Sequence, residues 1–284
     1  MAERVAAVIV AYRPERAVLV NLASYVDQVD AVYVVDNTEE PESGFAAEVA
    51  RDERVTYVAN NRNLGIATAL NQGARAARDA GFEWLLTMDQ DSTATPGMVE
   101  ALMRCALAEP DGIGVVSPVH RQVGGEPREV EPGCHEVLTT MTSGNIVSLA
   151  ALSRVGWFMD ELFIDQVDNE ICLRLRRAGL RVLESGDADL LHRVGQIRKH
   201  RFPYPAYSTN HSPLRRYYIA RNRLWVGRMY AKDYPEFERF ERRQMLKDVV
   251  KIVLYEDRKW AKLRMIRRGL RDARAGRLGA YPGS

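Results

Sequence analysis

Asp89 and Asp91 stand two residues apart in "LLTMDQDSTATP" (85–96), directly after an apolar run and before a Ser/Thr/Pro cluster. Side chains at i and i+2 of an extended segment point the same way, so the two carboxylates converge if the strand runs one residue further. Like charges about 4 Å apart repel by roughly 1 kcal/mol in water and by more when partly buried. A shared cation removes that repulsion, and oxygen-only donors suit Mg2+ or Mn2+. Mg2+ commonly takes one or two carboxylates and completes its shell with substrate phosphates, so the pair need not form a cage. The competing reading is a solvated acidic turn ahead of a helix that starts near Pro96. Strand context decides between the two. "VVDN" puts Asp36 and Asn37 at the end of another apolar run, and "ANNRNLG" puts Asn60 to Gly65 after a third. Polar groups at three strand ends of one edge build a site that no core requires.

The elements that must carry these ends alternate. "VAAVIVAY" (5–12), "AVYVVD" (31–36), "VTYVA" (55–59) and "EWLLTM" (83–88) read as strands. Between them, 14–27 has helical spacing with Pro14 in its first turn, a short helix falls near 43–52, and 66–81 is a helix stopped by Gly81. Continuous apolar strands alternating with helices predict an α/β fold with a mostly parallel sheet covered on both faces. Ligands of such sheets sit beyond the carboxyl ends of the strands. Further on, 137–149 reads as strand, turn and strand. A helix runs from about 167 to Gly179, and "RVLES" resumes a strand. Pro203, Pro205 and Pro213 mark a loop, and two helices follow, near 213–230 and 235–272. This places a nucleotide-binding and catalytic domain over residues 1–210 and a basic helical extension over 211–284.

Composition bounds the setting. The 284 residues are 46 % apolar, ordinary for a globular chain with a sizeable core. The three cysteines, Cys105, Cys134 and Cys172, have no framework spacing, and no signal-peptide pattern opens the chain. The expectation is reduced thiols in the cytoplasm, and no apolar stretch of about 18 residues spans a membrane. Residues 1–210 carry 20 Lys+Arg against 30 Asp+Glu, and residues 211–284 carry 20 against 8. An acidic body with a basic tail suggests a tail that meets something anionic, or a solvated helix pair packed on the body. Nucleic acid would fit the charge, but no reading motif accompanies it, so it is not a predicted partner.

Two metal chemistries begin with a strand ending in Asp-x-Asp. Phosphatases of the haloacid-dehalogenase type use the first Asp as nucleophile, but they also need a downstream lysine, and the first lysine here is Lys199. "GDADLL" (186–191) also lacks their wider acidic spacing. The other chemistry is glycosyl transfer. "VIVAY", "VVDN", "NNRNLGIATALNQG", "LLTMDQDS", "TSGNIVS", "VGWFMDELFIDQVDNEICLRLRRAG" and "RRYYIARNR" follow one another over roughly residues 4–224. In that order the chain resembles an inverting family-2 glycosyltransferase of the GT-A fold, and within that group the bacterial rhamnosyltransferases.

The resemblance implies roles. Ala11 and Tyr12 would line the nucleotide pocket, and Asp36 would hydrogen-bond the base or ribose. Asn63 and Gly65 would let the chain pass close to the nucleotide. Asp89 would sit by the ribose or the metal, Asp91 would bind the metal, and His192 matches a third ligand of the GT-A fold. A histidine after an apolar pair is equally a core or surface residue. Backbone around Gly144 would face acceptor or donor sugar. The family's Glu-Asp-x-Asp helix start is here Val167-Asp168-Asn169-Glu170, the Val-Asp variant of the rhamnosyltransferases. Asp168 keeps the place of the general base, a position that also suits a helix N-cap. Glu170 would hold an acceptor hydroxyl, and Asp165 is the reserve base. Arg221 would clamp diphosphate, or pack with Tyr217 and Tyr218 in an amphipathic helix. The donor expected is dTDP-rhamnose. The acceptor expected is a saccharide or lipid-linked saccharide of cell-surface polysaccharide synthesis. The tail helix (244–277), with Leu246, Val249, Val250, Val253, Trp260 and Leu263, suits an anionic membrane, packing on the body, or a homo-oligomer contact. A non-catalytic sugar-nucleotide sensor is the remaining alternative.

Overall fold

In the computed structural model, residues 3–108, 112–122, 129–192, 198–200 and 206–282 are described. They divide into two compact units: Met1–Asp160 with Val167–Arg193, and Glu161–Gln166 with Val194–Ser284.

The first unit opens as the alternation predicts: β1 (Val5–Ala11), α1 (Ala17–Ala23), β2 (Ala31–Asp36), α2 (Ser43–Val49), β3 (Val55–Ala59), α3 (Ile66–Asp79) and β4 (Trp84–Asp89). These four strands are parallel, in the order β3-β2-β1-β4. The chain leaves β1 in one direction and returns to its other side as β4, so the topological switch point lies between them. β1 is buried almost throughout, as expected of a strand covered on both faces. Gly73 lets α3 lie directly on β1, because a Cβ there would overlap the Val8 side chain.

The sheet continues with β5 (Ser92–Ala94), α4 (Met98–Ala108), β6 (Ile113–Gln122), β7 (Cys134–Glu136), β8 (Asn145–Ser148), α5 (Leu149–Val155), α6 (Val167–Arg177) and β9 (Arg181–His192). Strand order beyond β4 is β8-β6-β9-β5, with β7 also on β9. β8 runs antiparallel to both β4 and β6. The sheet is therefore mixed. Gly186 lets β9 continue through an irregularity, because a Cβ there would overlap the Glu131 carbonyl.

The second unit holds β10 (Arg198–His200), β11 (Ala206–Ser208), α7 (Pro213–Tyr230), α8 (Pro235–Tyr255) and α9 (Lys259–Arg274). Pro213 opens α7 in its first turn, while Pro203 and Pro205 lie outside the described residues.

Three expectations need correction. The expected strand at 137–149 is only β8 at its end. The segment ahead of it is held to β4 by a few single bonds rather than a ladder, with Gly144 N–H donating to the Thr87 carbonyl at 2.6 Å and Thr87 Oγ1 to the Thr142 carbonyl at 2.5 Å. The long tail helix is two helices. Buried Glu256 binds Arg216 at 2.5 Å and Lys262 at 2.8 Å, and Arg258 takes a left-handed φ of 51°. Those ion pairs draw the chain out of α8 before α9 begins. Finally, Cys105 and Cys134 form a disulfide, because α4 and β7 both lie on β9 and bring the two Cα atoms to 5.8 Å. Only Cys172 is a free thiol, and burial pushes it up to about 12. Alkylation of the denatured protein without reductant is expected to modify one of its three cysteines, and all three after reduction, as read by intact mass.

Candidate functional site

The carboxyl ends of β1 to β4 form one rim. The ladder pairs Ala11 with Asp36, Asp36 with Ala59, and Val10 with Asp89. Hence the three polar strand ends stand side by side, about 4.8 Å apart per strand. At the switch point, Gln90 grips the Tyr12 peptide from both sides: its Oε1 accepts from Tyr12 N–H at 2.9 Å and its Nε2 donates to the Tyr12 carbonyl at 3.2 Å. Asn21 Nδ2 donates to the Gln90 carbonyl at 2.7 Å. The Asp89–Asp91 turn is therefore stitched to β1 and α1.

Its other side is fixed by "TSGN". Ser143 Oγ accepts from Asp89 N–H at 3.0 Å and donates to buried Ser92 Oγ at 2.8 Å. His120 bonds the Ser143 carbonyl at 2.7 Å. Asp89 and Asp91 are half-buried, neither core nor fully solvated. Antiparallel pairing sets His192 opposite Ser92, next in the chain to Asp91.

Asp36 is buried, with one oxygen accepting from Thr38 N–H at 2.8 Å and the other from Tyr57 hydroxyl at 2.7 Å. Burial first, then that bond, pushes the Tyr57 hydroxyl well above its usual range. Asn37 and Asn60 lock β2 to the α3 entry: Asn37 Nδ2 donates to the Gly65 carbonyl at 3.0 Å and its Oδ1 accepts from Asn60 at 2.8 Å. Gly65, at φ 85°, caps α3 and donates to Asn63 Oδ1 at 3.0 Å. A cavity of about 890 Å³ opens beside Arg13 and Thr38 at the ends of β1 and β2, and Glu15, Glu39, Glu40, Glu42 and Glu48 line much of it. Arg13 and Arg16 line it as well.

Asp168 sits inside the first turn of α6, which begins at Val167, rather than at its N-cap. Its Oδ1 accepts from Asn169 N–H at 2.8 Å. One turn on, the Cys172 thiol bonds Thr140 backbone, in the segment that leads to Ser143. Residues i and i+4 share a helix face. Asp168 thus stands on the side of α6 turned toward the strip that anchors Asp89.

Four residues expected at acceptor or diphosphate have structural partners within the fold. Gly144, at φ 82°, lies against Pro118 and Leu190, where a Cβ would clash at 2.8 and 2.9 Å. Glu170 is buried and held by Arg174 through two bonds, of 2.5 and 3.0 Å. Asp165 is held by Arg215 at 2.7 and 2.9 Å. Arg221 is buried, and its donors reach Asn222 Oδ1, the Gly279 carbonyl and the carbonyls of Glu161 and Leu162. Its guanidinium braces a loop and has no face left for phosphate.

That loop, 161–166, carries left-handed φ values at Phe163, Asp165 and Gln166. Buried Asn222 Nδ2 lies within bonding distance of the carbonyls of Leu162, Ile164 and Asp165, at 2.8, 2.7 and 3.0 Å. The sequence reading missed Asn222, Gln90 and Asn21 as site builders. Ser143 and Asn37 stood in quoted motifs without a role.

Among the described residues, no three His, Cys, Asp or Glu side chains gather closely enough to hold a metal. Asp89 and Asp91 nevertheless fit a hard divalent cation whose other ligands are phosphate oxygens and water.

A mixed sheet with acidic and amide groups on its switch-point rim is the GT-A class of nucleotide-sugar fold. The fold is shared with GalNAc-T7 crystallised with UDP, GalNAc and Mn2+ (TM-score 0.61, 13 % identity, 83 % of this chain and 51 % of that one). It is shared also with S. aureus TarS 1-349 (TM-score 0.60, 12 % identity, 96 % and 87 %). The chain thus spans about half the length of GalNAc-T7. Residues 6–149 match glycosyl transferase family 2. The chain is 30 % identical over 249 residues to dTDP-rhamnosyl transferase RfbF of Shigella flexneri, covering 78 % of this chain and 79 % of that protein. It belongs to glycosyltransferase family 2 and is a glycosyltransferase, which removes the phosphatase and sensor alternatives.

Two substitutions test the scaffold. Ser143→Ala leaves a buried N–H without its partner, a cost of about 1–3 kcal/mol. It is expected to lower both the thermal midpoint and kcat/KM, the latter by about tenfold, in transfer kinetics. Asn222→Leu releases the loop ahead of α6. Its expected result is a kcat about 10- to 100-fold lower with donor affinity retained, as read by thermal shift with donor.

Proposed function

We propose that this glycosyltransferase moves a deoxyhexose, L-rhamnose from dTDP-rhamnose, with inversion onto a saccharide or lipid-linked saccharide of cell-surface polysaccharide synthesis. The single observation that carries the reading is the fixed Asp89–Asp91 turn at the switch point of a family-2 sheet. The 30 % identical relative named dTDP-rhamnosyl transferase supports the donor.

In this reading the nucleoside lies along Tyr12, Asp36 and the Asn63–Gly65 turn, over the ends of β1 to β3. Asp36 acts through the loop and Tyr57 it holds, since both its oxygens already accept bonds. Asp89 and Asp91 would hold Mg2+ or Mn2+, and His192, whose side chain lies outside the described residues, is the proposed third ligand. When bound, that cation neutralises charge on the departing diphosphate. Asp168 removes the proton of the acceptor hydroxyl, whose oxygen forms the new bond to the anomeric carbon as the bond to the diphosphate oxygen breaks on the opposite face. Val167 in place of the family's first acid leaves Asp168 as the acid of that turn able to do this, because Glu170 is bound to Arg174.

Asp168→Asn is expected to lower kcat by about 10²- to 10⁴-fold and to leave donor binding intact. A thermal-shift panel of dTDP-, UDP- and GDP-sugars with and without Mn2+ should give metal-dependent stabilisation with dTDP-rhamnose, about 2.7 kcal/mol at one hundred times Kd. Asp91→Asn should remove the metal-dependent part. Equal stabilisation by all donors without metal would refute the reading.

A further inference from the structure

We propose that the outward faces of α8 and α9 seat this chain peripherally on an anionic phospholipid bilayer. The acids of α8 beyond its first turn point inward. Glu241 binds Arg223 at 2.9 Å, and Asp248 binds Arg223 at 2.5 Å and Arg216 at 3.6 Å. Glu256, just past the helix, is buried between Arg216 and Lys262. The opposite face of α8 carries Leu246, 68 % exposed, with Val250, Val253 and Leu254 also exposed, and Arg243 and Lys247 beside them. Positions 246, 250, 253 and 254 fall on one stripe of a helix. An exposed aliphatic stripe of this kind marks an interaction surface.

α9 repeats the pattern with more charge. Trp260 is 85 % exposed, and Arg264, Arg267, Arg271 and Arg274 follow at alternating steps of four and three, all exposed on the same side. The one acid of α9, Asp272, is buried and takes Tyr217 hydroxyl at 3.0 Å and Arg277 at 2.7 Å. Between the helices, Asp257 is exposed and bound to Asn210 at 2.9 Å.

Charge complementarity selects the occupant. A second copy in two-fold contact would bring arginine against arginine. A nucleic-acid backbone would match the charge but leave the aliphatic stripe without an apolar partner. An anionic bilayer meets both needs: headgroups take the arginines, and the acyl boundary takes Leu246, Val250 and Trp260. Among the described residues no helix is long and apolar enough to cross a membrane, so this contact lies on the surface.

Vesicle flotation of the full chain, without donor, tests this independently of the sugar transferred. The vesicles are phosphatidylcholine alone, or phosphatidylcholine with about one third phosphatidylglycerol, at an ionic strength of about 0.15 M. The expected partition is at least about tenfold higher onto the anionic vesicles. Leu246→Gln/Val250→Gln/Trp260→Ser should lower it by about tenfold. Arg264→Gln/Arg267→Gln/Arg274→Gln should abolish the preference for phosphatidylglycerol. These side chains are exposed, so the thermal midpoint should hold in both triples. Equal partition onto both vesicles, or undiminished binding by both triples, overturns the proposal. A vesicle-free dimer that the apolar triple dissociates, without vesicle binding by the wild type, overturns it as well.

Discussion

Holding two carboxylates two residues apart at a strand end depends on neutral groups that anchor the backbone beneath them. The Asp89–Asp91 turn is built this way. Ser143 takes the Asp89 N–H and reaches Ser92, Gln90 clasps the Tyr12 peptide in both directions, and Asn21 holds the Gln90 carbonyl. Each of these is a hydroxyl, an amide or a peptide group. Removing Ser143 or Asn21 leaves a part-buried donor or acceptor unmet, which costs more than the bond nominally contributes. Position at the rim thus follows from the strip before β8 as much as from β4, although Asp89 ends β4 and Asp91 lies in the turn just after it.

The helical unit uses the opposite material. Arg215, Arg216, Arg221 and Arg223 all serve the fold, through Asp165, Glu256, main-chain carbonyls, and Glu241 with Asp248. A buried arginine is tolerated when acceptors meet its planar fork, and buried Arg221 has four such acceptors, while buried Arg216 pairs with Glu256. The motif "RRYYIARNR" therefore marks a knot of structural ion pairs rather than a phosphate clamp.

The alternation of apolar runs and helical spacing made the parallel part of the sheet legible, and strand-end polarity made the rim legible. What escaped depended on contacts far apart in the chain. The Ser143–Asp89 bond joins residues 54 apart, and Asn222 reaches a loop about 60 residues away. No local periodicity records either. Glu170 and Arg221 were read by side-chain type, and burial then changed their meaning: a carboxylate facing Arg174 at i+4 completes a helix-surface pair before it can meet a substrate. The cysteines failed for a related reason. Spacing along the chain carries no information when α4 and β7 meet only through β9.

The loop 161–166 shows where strain has been placed. Three non-glycine residues with left-handed φ cost about 1–3 kcal/mol each, and such strain persists only where the surroundings over-determine it. Here they do: the Asn222 amide faces the carbonyls of Leu162, Ile164 and Asp165, Arg221 takes the Glu161 carbonyl and shares that of Leu162, Arg215 grips Asp165, and Gln166 donates to Glu241 at 3.2 Å. The residue after this loop begins α6, and Asp168 follows at its second position. An ordinary N-cap would have let the helix start fray and turn. A strained, many-bonded loop of this kind holds the segment from which the first turn of α6 leaves.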